Sequence, residues 1–201
     1  MATPAKIVDF NVPTVALVGR VNVGKSTLFN RIIERQLALV SKIPGTTRTR
    51  NIALAAWRGK KFRLIDTGGL ASSAALPLTE DIKKQTEIAV QEADIVVFVT
   101  DIQAEVLPQE LTLARKLMKL KTKPIVLVAN KADSMSLYPR VHDAAWLRLG
   151  LGPAIPVSAA NGGNVGDLLD SIYARLKKLK LRPKPVALAN PIRVEIGRAH
   201  V

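Results

Sequence analysis

Gly19 to Ser26 reads GRVNVGKS, which fits G-x-x-x-x-G-K-[ST], and it lies between an apolar run (Val15 to Val18) and a helix-like segment (Thr27 to Gln36). This feature constrains the fold more than any other. Loop amides and a helix N-terminus converge on one anion only when the loop joins the end of a strand to the start of a helix. Gly19 and Gly24 would allow the tight turn, Lys25 would reach the β and γ phosphates of a nucleotide, and the Ser26 hydroxyl would ligate Mg²⁺. A nucleoside triphosphate site is expected here, against the plainer reading of an ordinary glycine-rich turn.

The base is read elsewhere. After a second apolar run, Pro124 to Ala129, come Asn130, Lys131, Ala132 and Asp133. A carboxylate at that place can accept hydrogen bonds from guanine N1 and its 2-amino group, a pairing that adenine does not offer, and a site built around buried polar partners discriminates strongly. Farther on, Pro156-Val157-Ser158-Ala159-Ala160 closes a short strand and could supply a backbone amide to guanine O6.

Between these two regions lies the segment expected to handle the γ phosphate. Lys61 to Ile65 alternates and runs into Asp66-Thr67-Gly68-Gly69, a D-x-x-G in which Asp66 would hold Mg²⁺ through water and the Gly69 amide would contact the γ phosphate. Upstream, Pro44-Gly45-Thr46-Thr47-Arg48 offers loop hydroxyls, of which Thr47 is preferred for completing the Mg²⁺ shell. Loss of the γ phosphate would release both loops, an order-to-disorder switch.

The order GRVNVGKS, PGTTR, DTGG, NKAD, SAA resembles the translation-factor-related branch of the small GTPases. Together with the strings LVANKAD and LGLG it is similar to the first GTPase domain of the bacterial double-domain Der (EngA) family, over about residues 13 to 180. The resemblance implies a P-loop NTPase with a Ras-like G domain, GTP and GDP as ligands with Mg²⁺, and GTP hydrolysis in large-subunit ribosome assembly. It also implies rRNA contact, and a second G domain and an RNA-binding-like C-terminal domain in the full-length protein. Carried over by position, Gly19, Asn22, Val23, Gly24, Lys25, Ser26 and Thr27, with Thr47, Asp66, Gly69, Asn130, Lys131, Asp133, Ser158, Ala159 and Ala160, form the nucleotide and Mg²⁺ site. Lys25, Thr47, Gly69 and Asn22 are the candidates for catalysis.

Leu70 follows the D-x-x-G where Ras-like enzymes carry a water-orienting glutamine, so catalysis must draw on something else. Asn22 occupies the loop position at which related enzymes bind potassium beside the phosphates, where a cation plays the electrostatic part of an arginine finger. The other role for Asn22 is to brace the turn. Two departures from the family pattern stand out: Val21 replaces a usual proline, and Thr49 replaces the aspartate usual after T-R. Two further readings stay open: a GTP-dependent RNA- or ribosome-binding switch with negligible hydrolysis, and another potassium-type GTPase such as a tRNA-modification enzyme.

With 201 residues, 48 % of them hydrophobic, the chain can bury one core and is long for a single α/β domain by roughly twenty to thirty residues. Strands are expected at about 13 to 18, 51 to 57, 61 to 65, 94 to 100, 124 to 129 and 154 to 157. Helices are expected at about 25 to 36, 77 to 91, 108 to 121, 138 to 147 and 165 to 179. Alternating β and α with buried runs such as Ile95 to Val99 argues a mainly parallel sheet covered on both faces. No apolar run reaches membrane-span length and the N-terminus lacks a secretion-signal core, so a cytoplasmic protein is expected. Without cysteine, disulfides and thiolate metal sites are excluded, and two histidines argue against zinc.

Thirty Lys and Arg against sixteen Asp and Glu leave a net charge of +14. Six basic residues and no acidic one lie between Arg175 and Lys184, either a solvated helix end or an rRNA-facing surface. The expected organisation is a G domain over 12–180, then a basic, Pro-rich linker leading into the start of a second G domain over 181–195. The last residues, 196–201, are expected to be a non-native tail, such as adapter DNA would encode on a truncated gene.

Overall fold

The computed structural model describes residues 12–34, 51–67, 87–120 and 123–179. Six strands form one sheet: β1 (Thr14–Val18), β2 (Asn51–Trp57), β3 (Lys60–Asp66), β4 (Ile95–Asp101), β5 (Ile125–Asn130) and β6 (Ile155–Pro156), in the spatial order β2-β3-β1-β4-β5-β6. All neighbours are parallel except β2 and β3. The central strands are apolar almost throughout because both their faces are covered: every residue of β1 is buried, as are six of the seven in β4. The β2–β3 pair differs, since Arg58 and Gly59 join it in a two-residue turn with φ of 46° and 79°, positive values that match the twist of a tight hairpin.

Helices cover both faces. On one, α1 (Lys25–Glu34) and α5 (Val165–Lys178) pack Leu28, Ile32, Leu168 and Ile172 against Val15, Leu17, Phe62 and Leu64. Val165, Leu168, Leu169, Ile172 and Leu176 recur at helical spacing, the single apolar stripe of a helix lying on a sheet. On the other face, the helical residues 87–92 (α2), α3 (Pro108–Met118) and α4 (Ala144–Leu147) bury Ala89, Leu117 and Trp146 against Ala16, Phe98 and Leu127. Helix α3 starts at Pro108, whose missing N–H costs nothing there, and Glu110 turns back to accept from Leu107 N at 2.9 Å.

Elements fall close to their expected places, with one difference. In place of a helix over 138–147 there is a 3₁₀ segment, Met135–His142, then extended Asp143, then α4. Pro139 has no N–H to give an α-helical ladder and disfavours helical φ/ψ in the residue before it. Pro44 to Arg48, Thr49, Gly68, Gly69, Leu70, the first part of the 77–91 helix, and the segments 181–195 and 196–201 lie outside the described residues.

The strand order reverses at β1, which has β3 on one side and β4 on the other. In an open α/β sheet the crevice beyond the carboxyl end of such a strand is where a ligand can enter, and the Gly19–Gly24 loop stands there. Phe62, fully buried between β3 and the α1/α5 layer, ties this edge to the core. Phe62→Ala should lower unfolding free energy by about 3–5 kcal/mol in urea titration. A loss under about 1 kcal/mol would contradict that burial.

Candidate functional site

The loop after β1 is built on positive φ. Gly19 has φ 151°, Asn22 64° and Gly24 91°. A Cβ on Gly19 would lie 2.1 Å from Val99 O, and one on Gly24 would lie 2.3 Å from Asn130 Nδ2, so both positions exclude any side chain. Asn is the non-glycine residue that best tolerates the left-handed region. Among the described residues the Asn22 side chain makes no hydrogen bond, so its contribution to the turn is that of its backbone.

Lys25 opens α1 but its side chain turns back over the loop, where Nζ donates to Gly19 O at 3.0 Å and to Arg20 O at 2.7 Å. It is 6 % exposed, and burial pushes its pKa below the ordinary lysine value; Asp66 acts in the opposite sense and Arg20 adds to the lowering. Arg20 Nε itself sits 3.6 Å from Glu110 Oε1 in a partly buried ion pair between the loop and α3. Beside Lys25, Ser26 Oγ donates to Asp66 Oδ2 at 2.7 Å, bringing together the two oxygen groups expected at a hard cation. Thr67, next after Asp66, is anchored to β1 through Oγ1 donating to Leu17 O at 2.9 Å. The carboxylate end of β3 is thereby held against the loop.

The ends of β5 and β6 form the other half. Asn130, 2 % exposed, donates from Nδ2 to Val23 O at 2.8 Å and accepts at Oδ1 from Ala159 N at 3.0 Å. Lys131 adopts φ 64° and its Nζ pairs with Asp101 Oδ2 at 2.7 Å. Asp133 accepts at Oδ1 from Ser158 Oγ at 2.5 Å, while its Oδ2 lies 3.4 Å from Gln103 Nε2. The structure thus gathers Gly19 to Thr27, Asp66, Asn130, Lys131, Asp133 and Ser158 to Ala160 at one edge of the sheet. Thr47 and Gly69 are outside the described residues.

Three residues of this edge had no sequence motif. Asp101 and Gln103 follow β4, the strand for which no ligand loop was read, and Gln103 Nε2 also donates to Lys131 O at 2.9 Å. The rule that ligands gather at carboxyl strand ends could have found both. Arg31, from α1, donates through Nε to Ala159 O at 3.0 Å and through Nη2 to Ala160 O. That contact spans 128 residues of sequence and has no local signal.

A phosphate-type loop at the strand-order reversal, a D-x-x-G carboxylate at the end of β3 and an N-K-x-D loop at the end of β5 define a Ras-like P-loop G domain. Residues 14–131 match the family described as 50S ribosome-binding GTPase, and the chain belongs to that family. It is 48 % identical over 160 residues to the GTPase Der of Lactobacillus acidophilus, covering 80 % of this chain and 36 % of that protein. To the GTPase Der of Pelotomaculum thermopropionicum it is 41 % identical over 190 residues, covering 93 % and 42 %. The chain therefore spans well under half the length of these relatives. Among solved structures it is similar to Era in complex with MgGDPNP and nucleotides 1506–1542 of 16S ribosomal RNA, at TM-score 0.62 and 25 % identity over 87 % of this chain and 59 % of that one.

Asn130 makes a stability prediction that needs no ligand. Truncation leaves Val23 O and Ala159 N without their buried partner, so Asn130→Ala should cost about 1–3 kcal/mol in urea unfolding of the nucleotide-free protein. A change within the ~0.5 kcal/mol typical of surface positions would show that this amide does not join the loops.

Proposed function

We propose that the chain binds GTP and GDP with Mg²⁺ at this edge, hydrolyses GTP, and acts over residues 12–180 as the first G domain of a cytoplasmic GTPase that assembles the large ribosomal subunit. The observation that carries the guanine reading is the Asp133 carboxylate, held at 2.5 Å by the hydroxyl of Ser158, which lies two residues before the exposed Ala160. An anionic double acceptor beside a single donor complements the N1–H, 2-amino and O6 edge of guanine, and the edge of adenine mismatches it. Lys131 would border the base while its ammonium stays with Asp101.

At the phosphate end, Lys25 is a buried cation whose partners among the described residues are two carbonyl oxygens and the nearby Asp66. Phosphate oxygens would supply the counter-charge it lacks, and the ammonium would stabilise charge developing on the transferred group. Ser26 and Asp66 suit Mg²⁺, which binds through few protein oxygens plus phosphates and which, when bound, would neutralise β and γ phosphate charge. Thr47 would complete that shell and the Gly69 amide would meet the γ phosphate. Potassium at Asn22 is proposed as the further cation; that the Asn22 side chain makes no hydrogen bond among the described residues favours this over the bracing role.

The ribosomal part rests on the family's description, on relatives named GTPase Der and on a net charge of +14. Within the basic run that starts at Arg175, the Arg175 guanidinium folds back onto Ser171, donating to its Oγ at 2.6 Å, and partial burial pushes its pKa down. Lys177 and Lys178 are the exposed cations of the described part, and Lys177 stands 5.7 Å from the Tyr173 ring. These two are the proposed rRNA-facing charges of α5.

Two measurements test the reading. Asp133→Asn replaces two acceptors by one acceptor and one donor, so GDP affinity should fall on the order of a hundredfold and preference should turn toward xanthine diphosphate in mant-nucleotide titrations. An unchanged GDP preference removes Asp133 from the base site. Single-turnover GTP hydrolysis should run several-fold faster in potassium than in sodium at equal ionic strength. Asn22→Ala should erase that difference and leave GDP affinity nearly intact, because the ion acts on charge that appears in the transition state. Equal stimulation in both proteins would rule out the potassium role of Asn22.

A further inference from the structure

We infer that Arg31 is a positioning residue for base recognition: from α1 it sets the direction of the Ala160 amide, and through it the response of the site to the 6-position of a bound purine. The inference rests on the guanine reading above.

In the loop after β6, four of the five backbone amides from Ser158 to Gly162 are engaged within the protein. Ser158 N donates to Gly163 O at 3.0 Å, Asn161 N to Ser158 Oγ at 3.0 Å and Gly162 N to Ser158 O at 2.7 Å. Ala159 N donates to Asn130 Oδ1 at 3.0 Å. Of the five amides from Ser158 to Gly162, Ala160 N–H alone has no acceptor among the described residues, and Ala160 is exposed. Because the other four are engaged within the protein, this N–H is the one backbone amide of residues 158–162 with no acceptor among the described residues, and so the one placed to donate to a ligand.

Its direction is not left to the loop. The peptide joining Ala159 to Ala160 is planar and trans, so Ala159 O and Ala160 N–H point opposite ways. Arg31 Nε holds Ala159 O at 3.0 Å and Nη2 holds the next carbonyl, Ala160 O. Two adjacent carbonyls gripped by one rigid planar fork fix both flanking peptide planes, which a flexible lysine ammonium would not do. Pulling Ala159 O toward α1 turns Ala160 N–H away from α1. Glu34, one turn along the helix, stands with Oε2 3.6 Å from Arg31 Nη1 in an exposed ion pair.

A role confined to stability predicts an equal loss for every nucleotide; a positioning role predicts a loss specific to the 6-substituent. GDP, 6-thio-GDP and inosine diphosphate separate the two. Sulfur at the 6-position accepts a hydrogen bond poorly and reports on Ala160 N–H, whereas loss of the 2-amino group in inosine reports on Asp133. Affinities of all three are to be measured by competition against mant-GDP for wild type, Arg31→Ala and Arg31→Lys. In wild type, GDP should be preferred over 6-thio-GDP by about threefold to tenfold, the worth of one hydrogen bond. Arg31→Ala should bring that ratio close to one and leave the GDP to inosine diphosphate ratio as in wild type, with Arg31→Lys in between. A GDP to 6-thio-GDP ratio that stays at the wild-type value in both variants overturns the positioning role, as does a wild type indifferent to the 6-substituent while still preferring GDP over inosine diphosphate. A wild type indifferent to all three overturns the guanine reading itself, and Arg31 with it.

Discussion

The buried side-chain amide of Asn130 is the interaction on which the whole ligand edge depends. It binds Val23 O in the loop after β1 and Ala159 N in the loop after β6, segments separated from it by 107 and 29 residues. Each hydrogen bond is worth little net against water, but a buried group that loses its partner costs more than the bond contributed. The two contacts therefore stand or fall together. They also explain a glycine: Asn130 Nδ2 lies where a Cβ on Gly24 would be. The Gly of GKS and the Asn of NKAD are two halves of one steric and polar fit, although in the sequence they read as independent motifs.

This is why the edge was legible before the fold was known. GRVNVGKS is written in residue types that the backbone demands, with glycine or asparagine at positive φ, and NKAD opens on a short polar side chain at a strand end. Strands β1, β4 and β5 were equally plain, because a strand buried on both faces must be apolar along its length. Over 138–147 the apolar spacing suggested one helix, yet Pro139 carries a backbone constraint that spacing does not report, and a 3₁₀ segment forms with α4 after it. Arg31 and Gln103 were illegible for another reason. Their partners are backbone atoms, whose position depends on packing and leaves no mark in the residue types around them.

Several polar groups at this edge are already engaged with one another. Lys25 caps its own loop, Ser26 donates to Asp66 and Ser158 donates to Asp133. Such a network keeps side chains in low-freedom arrangements before any ligand arrives, which reduces the ordering cost of binding. A ligand must then exchange partners, so each ligand hydrogen bond contributes only the excess over the one it replaces.

That exchange is uneven across the edge. On the proposed guanine reading, the Asp133 oxygens keep lone pairs beyond the one taken by Ser158 Oγ and the Ala160 amide has no acceptor among the described residues, so a complementary base would displace water there more than protein partners. At the proposed phosphate end the buried Lys25 ammonium donates to carbonyl oxygens, and burial pushes its pKa down while Asp66 acts in the opposite sense and Arg20 adds to the lowering. A phosphate oxygen offers that ammonium a full negative charge in place of a dipole, and charge-assisted hydrogen bonds are roughly twice as strong as neutral ones. On the proposed reading, selectivity for the base and gain from the phosphates would therefore come from different physics at opposite ends of one edge: hydrogen-bond complementarity at Asp133 and Ala160, and a charged partner for a desolvated cation at Lys25. Asn130, fastened to both loops, keeps the two ends in register.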